Sequence, residues 1–169
     1  MSASKPKIVV DARMINAQGH GISLYVQQLA LGLSRLNLSY EPLYLVAPDC
    51  PRDSFLRKMA HVNCQIPFLH PSELWRLSAE IKRLGPALFH TPSFSSLWNY
   101  PCPHVQTVHD LNHLHFGDFA KKAYYRFILL RSLRRAQAVV SVSHNSALEI
   151  RSWLVDHGFD LEIQIVPNA

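Results

Sequence analysis

A chain of 169 residues has the length of one domain, and with 48% apolar and only 17% charged residues it is globular rather than disordered. Its formal net charge of +5 favours anionic partners, phosphate groups, nucleic acid or acidic lipid, without choosing among them. The three cysteines, Cys50, Cys64 and Cys102, are odd in number and lack Cys-x-x-Cys spacing, so they read as free thiols of a reducing compartment and exclude a disulfide framework.

Strand-like and helix-like stretches alternate along the whole chain. Lys7 to Asp11 is a short β-branched apolar run, the pattern of a buried strand. A turn-rich loop leads to Gly21, and Ile22 to Leu36 then places apolar residues at helical spacing. Glu41 to Ala47 and His61 to Phe68 read as the second and third strands. Pro71 to Leu84 reads as a helix with proline in its first turn and Gly85-Pro86 as its stop. Ala87 to His90 and Val105 to His109 are short strands, and Lys121 to Arg135 a helix. Ala138 to Ser143 is a strand, His144 to Asp156 a helix, and Leu161 to Val166 a last strand. This alternation predicts an α/β, Rossmann-like fold: a mostly parallel sheet with helices on both faces. Ligands of such sheets bind beyond the carboxyl ends of the strands, so the loops after them are the places to watch.

The first of these loops holds Gly19-His20-Gly21 and begins like a dinucleotide fingerprint. Leu24 stands where its third glycine belongs, and no acidic residue follows at the expected ~20-residue distance, so a nicotinamide or flavin site is rejected. What remains is a glycine-bearing loop opening a helix, suited to a phosphate or serving as a plain turn. His109, at the end of a strand and followed by Asp110, suits hydrogen bonding to sugar hydroxyls or proton transfer, or a structural place at a loop edge. His113 and His115 invite a metal reading, but carboxylates are sparse and no second ligand cluster is evident, so no metal is expected. Lys121, Lys122, Arg126, Arg131, Arg134 and Arg135 load one helix with positive charge. That is either a solvated face or a surface for anionic lipid. No nucleic-acid fold signature accompanies these residues, and nucleic acid is not an expected partner. No G-x-S-x-G elbow is present for a hydrolase. With no apolar signal segment before the first strand and no ~18-residue apolar run, a cytoplasmic protein is expected, with peripheral contact at the inner face of a membrane left open.

Five segments in order resemble glycosyltransferase family 4, whose members have the two-domain GT-B fold. They are Val10-Asp11-Ala12-Arg13-Met14-Ile15, Gly21-Ile22-Ser23-Leu24-Tyr25, Thr107-Val108-His109-Asp110-Leu111, Val140 to Ser146, and Ile165-Val166-Pro167-Asn168-Ala169. The chain departs from the family pattern at Ser23 and Leu24, where glycine and arginine are usual, and at Ala169, where glycine is usual. The resemblance implies that residues 1–169 form the N-terminal, acceptor-side domain, and that the C-terminal domain gripping the nucleotide-sugar is absent from this chain.

The resemblance further implies transfer of a sugar from a nucleotide-sugar to a glycan or lipid-linked acceptor, with retention of anomeric configuration. The nucleotide-sugar is a substrate, and no bound cofactor or catalytic metal is implied. On that pattern His109 is the catalytic candidate, contacting the donor sugar. Gly19, Gly21, Ser143 and Asn145 are candidates for the donor diphosphate and sugar. The aromatic-rich stretches around His90 to Trp98 and His113 to Phe119 supply acceptor-side candidates, His90, Trp98, His113 and His115. Alternatives are another GT-B enzyme, a sugar-nucleotide epimerase or phosphorylase, or a non-catalytic binding domain of the same fold.

Overall fold

The computed structural model describes residues 4–16 and 18–167. Seven strands form one all-parallel sheet: β1 (Lys7–Asp11), β2 (Glu41–Val46), β3 (His61–Asn63), β4 (Leu88–Thr91), β5 (His104–Val108), β6 (Ala138–Ser141) and β7 (Ile163–Ile165). Their spatial order is β3-β2-β1-β4-β5-β6-β7. Strand β1 lies between β2 and β4, and Val9 sits level with Leu43 on one side and Phe89 on the other. Being covered on both faces, it is apolar without alternation. Val10 joins Val26, Ala30, Tyr44, Val46 and Leu56 on one face, while Val9 joins Leu45, Leu77, Ile81 and Phe89 on the other.

Helix α1 (Gly21–Ser34) covers the first face, and α2 (Glu73–Leu84) covers the second. Two short helices, α3 (Asn112–Phe116) and α4 (Phe119–Tyr124), follow β5. A π-turn, Tyr125–Leu129, joins α4 to α5 (Leu130–Leu133), so the segment predicted as one helix over Lys121 to Arg135 starts earlier and is re-registered midway. Asp118 caps α4 by accepting the Lys121 amide at 2.9 Å. Helix α6 (His144–Asp156) lies over β6 and β7, with Leu129, Leu133, Val139, Ile150 and Leu154 forming the core between.

The third strand is shorter than the predicted His61 to Phe68. After Asn63 the chain is drawn off the sheet edge, because the Arg13 guanidinium takes the Ile66 carbonyl at 3.0 Å and Pro67 has no amide to pair. The second helix starts at Glu73 rather than Pro71, preceded by turns in which the Glu73 and Leu74 amides donate to the carbonyls of His70 and Pro71. It ends at Gly85, as predicted. Helix α3 was not evident in the sequence, its five residues being too few for a periodicity to show.

Candidate functional site

Chain order reverses between β1 and β4, since β1 leads by α1 to β2 on one side while β4 flanks it on the other. At such a switch point the loops diverge and leave a crevice. The loop after β1 turns back through Gly19, whose φ of +61° a side chain would resist. His20 then caps α1: Nδ1 accepts the Ser23 amide at 3.3 Å, and Nε2 lies 3.1 Å from the Met14 carbonyl oxygen. The His20 carbonyl accepts the Leu24 amide at 3.0 Å. The helix start is thus less open than the sequence suggested, with the Gly21 and Ile22 amides as the donors left unclaimed among the described residues. A Cβ built on Gly21 would meet nothing within 4 Å, so nothing in this chain requires glycine there.

His109 stands one residue beyond β5. Its Nε2 is 3.1 Å from the Pro92 carbonyl oxygen, to which it donates, and its ring meets Tyr25 of α1 edge-on, centroids 4.9 Å apart. This fixes the proton on Nε2 and leaves Nδ1 as an acceptor, so the ring would receive rather than donate a hydrogen bond at Nδ1. Burial lowers its pKa, partly countered by the Pro92 carbonyl and Asp110. His109 thus meets α1 through Tyr25, which the sequence reading did not single out, and Tyr25 also lines a pocket with Gly21, Leu24 and Val166.

His90 lies inside β4, not after it. Its Nε2 is 2.9 Å from Thr107 Oγ1 on β5, and burial lowers its pKa to about 4. It ties β4 to β5 and lies within the strand rather than on the loop after it. That loop is mostly packed inward: Ser93, Ser95 and Ser96 are buried, and Gln106 Nε2 donates to the Ser93 and Ser95 carbonyls at 2.6 and 3.0 Å. Trp98 is half-exposed but stacks under the Arg131 guanidinium, 4.6 Å from its ring centroid, on the side of α2 and α5. Both acceptor candidates are thus engaged within the chain itself, His90 with Thr107 and Trp98 with Arg131.

Ser143 caps α6 by accepting the Ser146 amide at 3.1 Å, which occupies its hydroxyl oxygen, while Asn145 in the first turn is exposed. His113 meets Phe94 and Tyr125 edge-on at 5.1 and 5.9 Å, whereas His115 Nε2 pairs with Glu149 Oε1 at 2.6 Å. The two rings thus have separate partners, and among the described residues no three His, Cys, Asp or Glu side chains cluster as a metal site would need. The three cysteines are free. Asn168 and Ala169, which end the last family-like segment, lie outside the described residues.

One buried network had no sequence signal beyond its residue types. Arg13 Nε and Nη2 grip Asp11 at 2.8 and 2.7 Å, and Nη2 also reaches Glu73 Oε2 at 3.1 Å, all three side chains being buried. Glu73 further accepts the Ser95 hydroxyl at 3.0 Å and the Leu69 amide at 3.1 Å. One guanidinium between two carboxylates leaves a buried excess of negative charge. Desolvation, with Asp11 adding to it against the pull of Arg13, pushes the Glu73 carboxyl up to about 7. The network pins the loops after β1, β3 and β4 to one another at the carboxyl edge of the sheet.

A doubly wound, all-parallel sheet covered by helices on both faces is a Rossmann-like α/β domain, consistent with the N-terminal half of a GT-B fold. The family model of Glycosyltransferase Family 4 matches residues 19–169, and the chain belongs to that family, as an N-terminal domain with a glycosyltransferase-type function. Comparison with curated proteins gives no match.

Proposed function

We propose that this domain serves a retaining transferase that moves a sugar from a nucleotide-sugar to a glycan or lipid-linked acceptor, with a C-terminal domain supplying most nucleotide contacts. The observation that carries this reading is His109, held by Pro92 and by Tyr25, one turn along α1 from Gly21, with no partner at Nδ1 among the described residues. On it, Nδ1 accepts from a hydroxyl of the donor sugar while the helix start faces the diphosphate. The leaving diphosphate is then stabilised by fixed donors without a bound cofactor or metal. On the same reading Ser143, the cap of α6, and Asn145, in its first turn, turn toward the donor.

Turnover with a panel of UDP-, GDP- and ADP-sugars in a chain carrying both domains tests this reading. His109→Ala should lower turnover on the order of tenfold to a hundredfold with the fold intact, and chelators should leave wild-type turnover unchanged. Wild-type turnover by His109→Ala, or loss on chelation restored by zinc, would overturn the assignment. Residues 1–169 alone should transfer no sugar, because both reactants must be held together.

The same reading places the protein at the cytoplasmic face of an anionic membrane. Phe116 and Phe119 are each 89% exposed and Phe127 67%, beside Lys121, Lys122 and Arg126. Tyr124 and Tyr125, grouped with those cations in the sequence, turn inward instead. No helix among the described residues is long and apolar enough to cross a membrane. Sedimentation with phosphatidylserine vesicles should be strong at low salt and fall as salt rises, since exposed charges are screened within ~8–10 Å. Absence of binding at low salt would return α4 to a solvated role.

A further inference from the structure

Strand β7 forms one edge of the sheet, and its outer side carries backbone groups with no partner among the described residues. The Val166 amide donates to the Ser141 carbonyl at 2.9 Å. Backbone groups alternate sides along a strand, so Gln164 also faces β6, while Ile163 and Ile165 point their amides and carbonyls away from the sheet. Beside that edge runs a groove of about 560 Å³ between β7 and α6, lined by Leu148, Ile163 and Ile165, with Arg151, Asp160 and Glu162 as its charged groups. We infer that β7 is a self-pairing edge: it joins β7 of a second copy of this chain, antiparallel about a two-fold axis through Gln164, to make one continuous sheet.

The backbone is self-complementary in that register. The axis sets Gln164 opposite the second copy's Gln164, and Ile163 opposite the second copy's Ile165. The outward amides and carbonyls of the two isoleucines then satisfy one another across the axis, the same patch serving on both copies. The edge also lacks the usual protection against pairing, since Ile163-Gln164-Ile165 holds no proline, no lysine and no bulge. The opposite edge is different. There Arg57 reaches Asn63 at the end of β3, donating to its Oδ1 at 2.6 Å, and sets a cation on the strand.

Side chains favour a second copy over an unrelated strand. Leu148 is 68% exposed on α6 beside Ile163 and Ile165, and the axis lays the two grooves side by side, so that each Leu148 covers apolar wall of the other copy. The chain's net charge of +5 would repel a second copy, but this patch does not share that excess. Arg151 is held by Asp160 at 3.0 and 3.1 Å, while Glu162 has no salt-bridge partner among the described residues. The two-fold register brings Glu162 level with the second copy's Val166, at the end of the sheet where that copy's α6 begins. The first turn of α6 holds no acidic residue, so Glu162 supplies the carboxylate that a helix start favours. The carboxyl ends of the paired sheets point in opposite directions, which leaves each crevice open and makes the inference independent of the transferase reading.

Sedimentation equilibrium of the 169-residue chain over a concentration series tests the pairing. Reversible dimers are expected, with a dissociation constant on the order of 10 μM, as suits a short shared edge. Leu148→Lys, at an exposed position, should weaken the dimer about tenfold or more through like charges at the contact, with the melting midpoint of the dilute chain unchanged. Ile165→Pro removes an outward amide without touching a bond to β6, and should also abolish dimers. Register is read by mild oxidation. Gln164→Cys should cross-link two copies, because directly opposed residues of a non-hydrogen-bonded pair lie about 4.5 Å apart at Cα, within disulfide reach. Glu162→Cys and the wild type should not. A chain still monomeric at about a hundred times the expected constant would leave the edge to some other partner and overturn the inference. Dimers that persist in both Leu148→Lys and Ile165→Pro, or cross-linking at Glu162→Cys as fast as at Gln164→Cys, would overturn it equally.

Discussion

Gly21 has no steric reason within this chain to lack a side chain: its φ is ordinary and a Cβ there meets open space. Alanine in its place should fold as well or better, by up to roughly 0.5–1 kcal/mol, because glycine loses more conformational freedom on entering a helix. If the donor diphosphate approaches the helix start, Gly21→Ala should nonetheless lower nucleotide-sugar affinity severalfold or more in the two-domain chain, by pushing the phosphate outward. A thermal melt read beside a binding titration separates these effects. Unaltered affinity would show that the backbone is not approached at this position. His109 illustrates what a residue type alone leaves undecided. Its place after a strand was legible in Thr107-Val108-His109-Asp110, but which nitrogen is free depends on the Pro92 carbonyl, 17 positions earlier.

Among elements, β1 was read correctly as a buried strand, because a continuous β-branched run has few alternatives. The end of β3 was misread because its fate is set by Arg13, 53 positions away, reaching the Ile66 carbonyl. The helical segment from Lys121 to Arg135 was placed but its π-turn was not visible, since the turn is decided by how Tyr125 and Leu129 pack into the core. The Asp11–Arg13–Glu73 network binds these loops as a unit. Arg13→Ala would leave two buried carboxylates facing one another without their cation, and should cost about 3–5 kcal/mol. Urea denaturation at neutral pH measures this. A loss below about 1 kcal/mol would mean that water or protons relieve the carboxylates and that the loops are held by other contacts.

For the whole molecule, acidity should act through buried histidines. Burial lowers both His90 and His104 to about 4 from an ordinary 6.5. The unfolded chain therefore binds protons before the folded one does, and stability falls as pH drops from about 6.5 to about 4, by up to about 1.4 kcal/mol per pH unit for each histidine. Glu73 works oppositely: raised to about 7 from 4.5, it favours the folded state below about 4.5 and loses that contribution as pH climbs through 7. Two histidines against one glutamate leave a net loss on acidification. His104 stacks on Tyr100 with ring centroids 3.4 Å apart and lies 3.3 Å from Ser132 Oγ, so His104→Gln should flatten the decline between pH 6.5 and 4. Denaturation midpoints measured across that range in both chains check this, and identical slopes would exclude His104 as a source.

The amino-acid sequence by itself determined the class of fold and the family, because strand and helix periods, turn residues and five ordered segments are local properties that survive without contacts. It also determined that His109 and the Gly19–Gly21 loop would stand at carboxyl ends of strands, since parallel βαβ units send every such end to one edge. Only the tertiary structure decided which candidates meet. It put Tyr25 against His109, turned His90 into a tie between strands, and carried Trp98 to the outer helices. It also assembled Leu69, Phe94 and Tyr125 around one cavity. Those groupings join residues 17 to 84 positions apart, and such distances are closed by packing and buried charge rather than by any local preference of the chain.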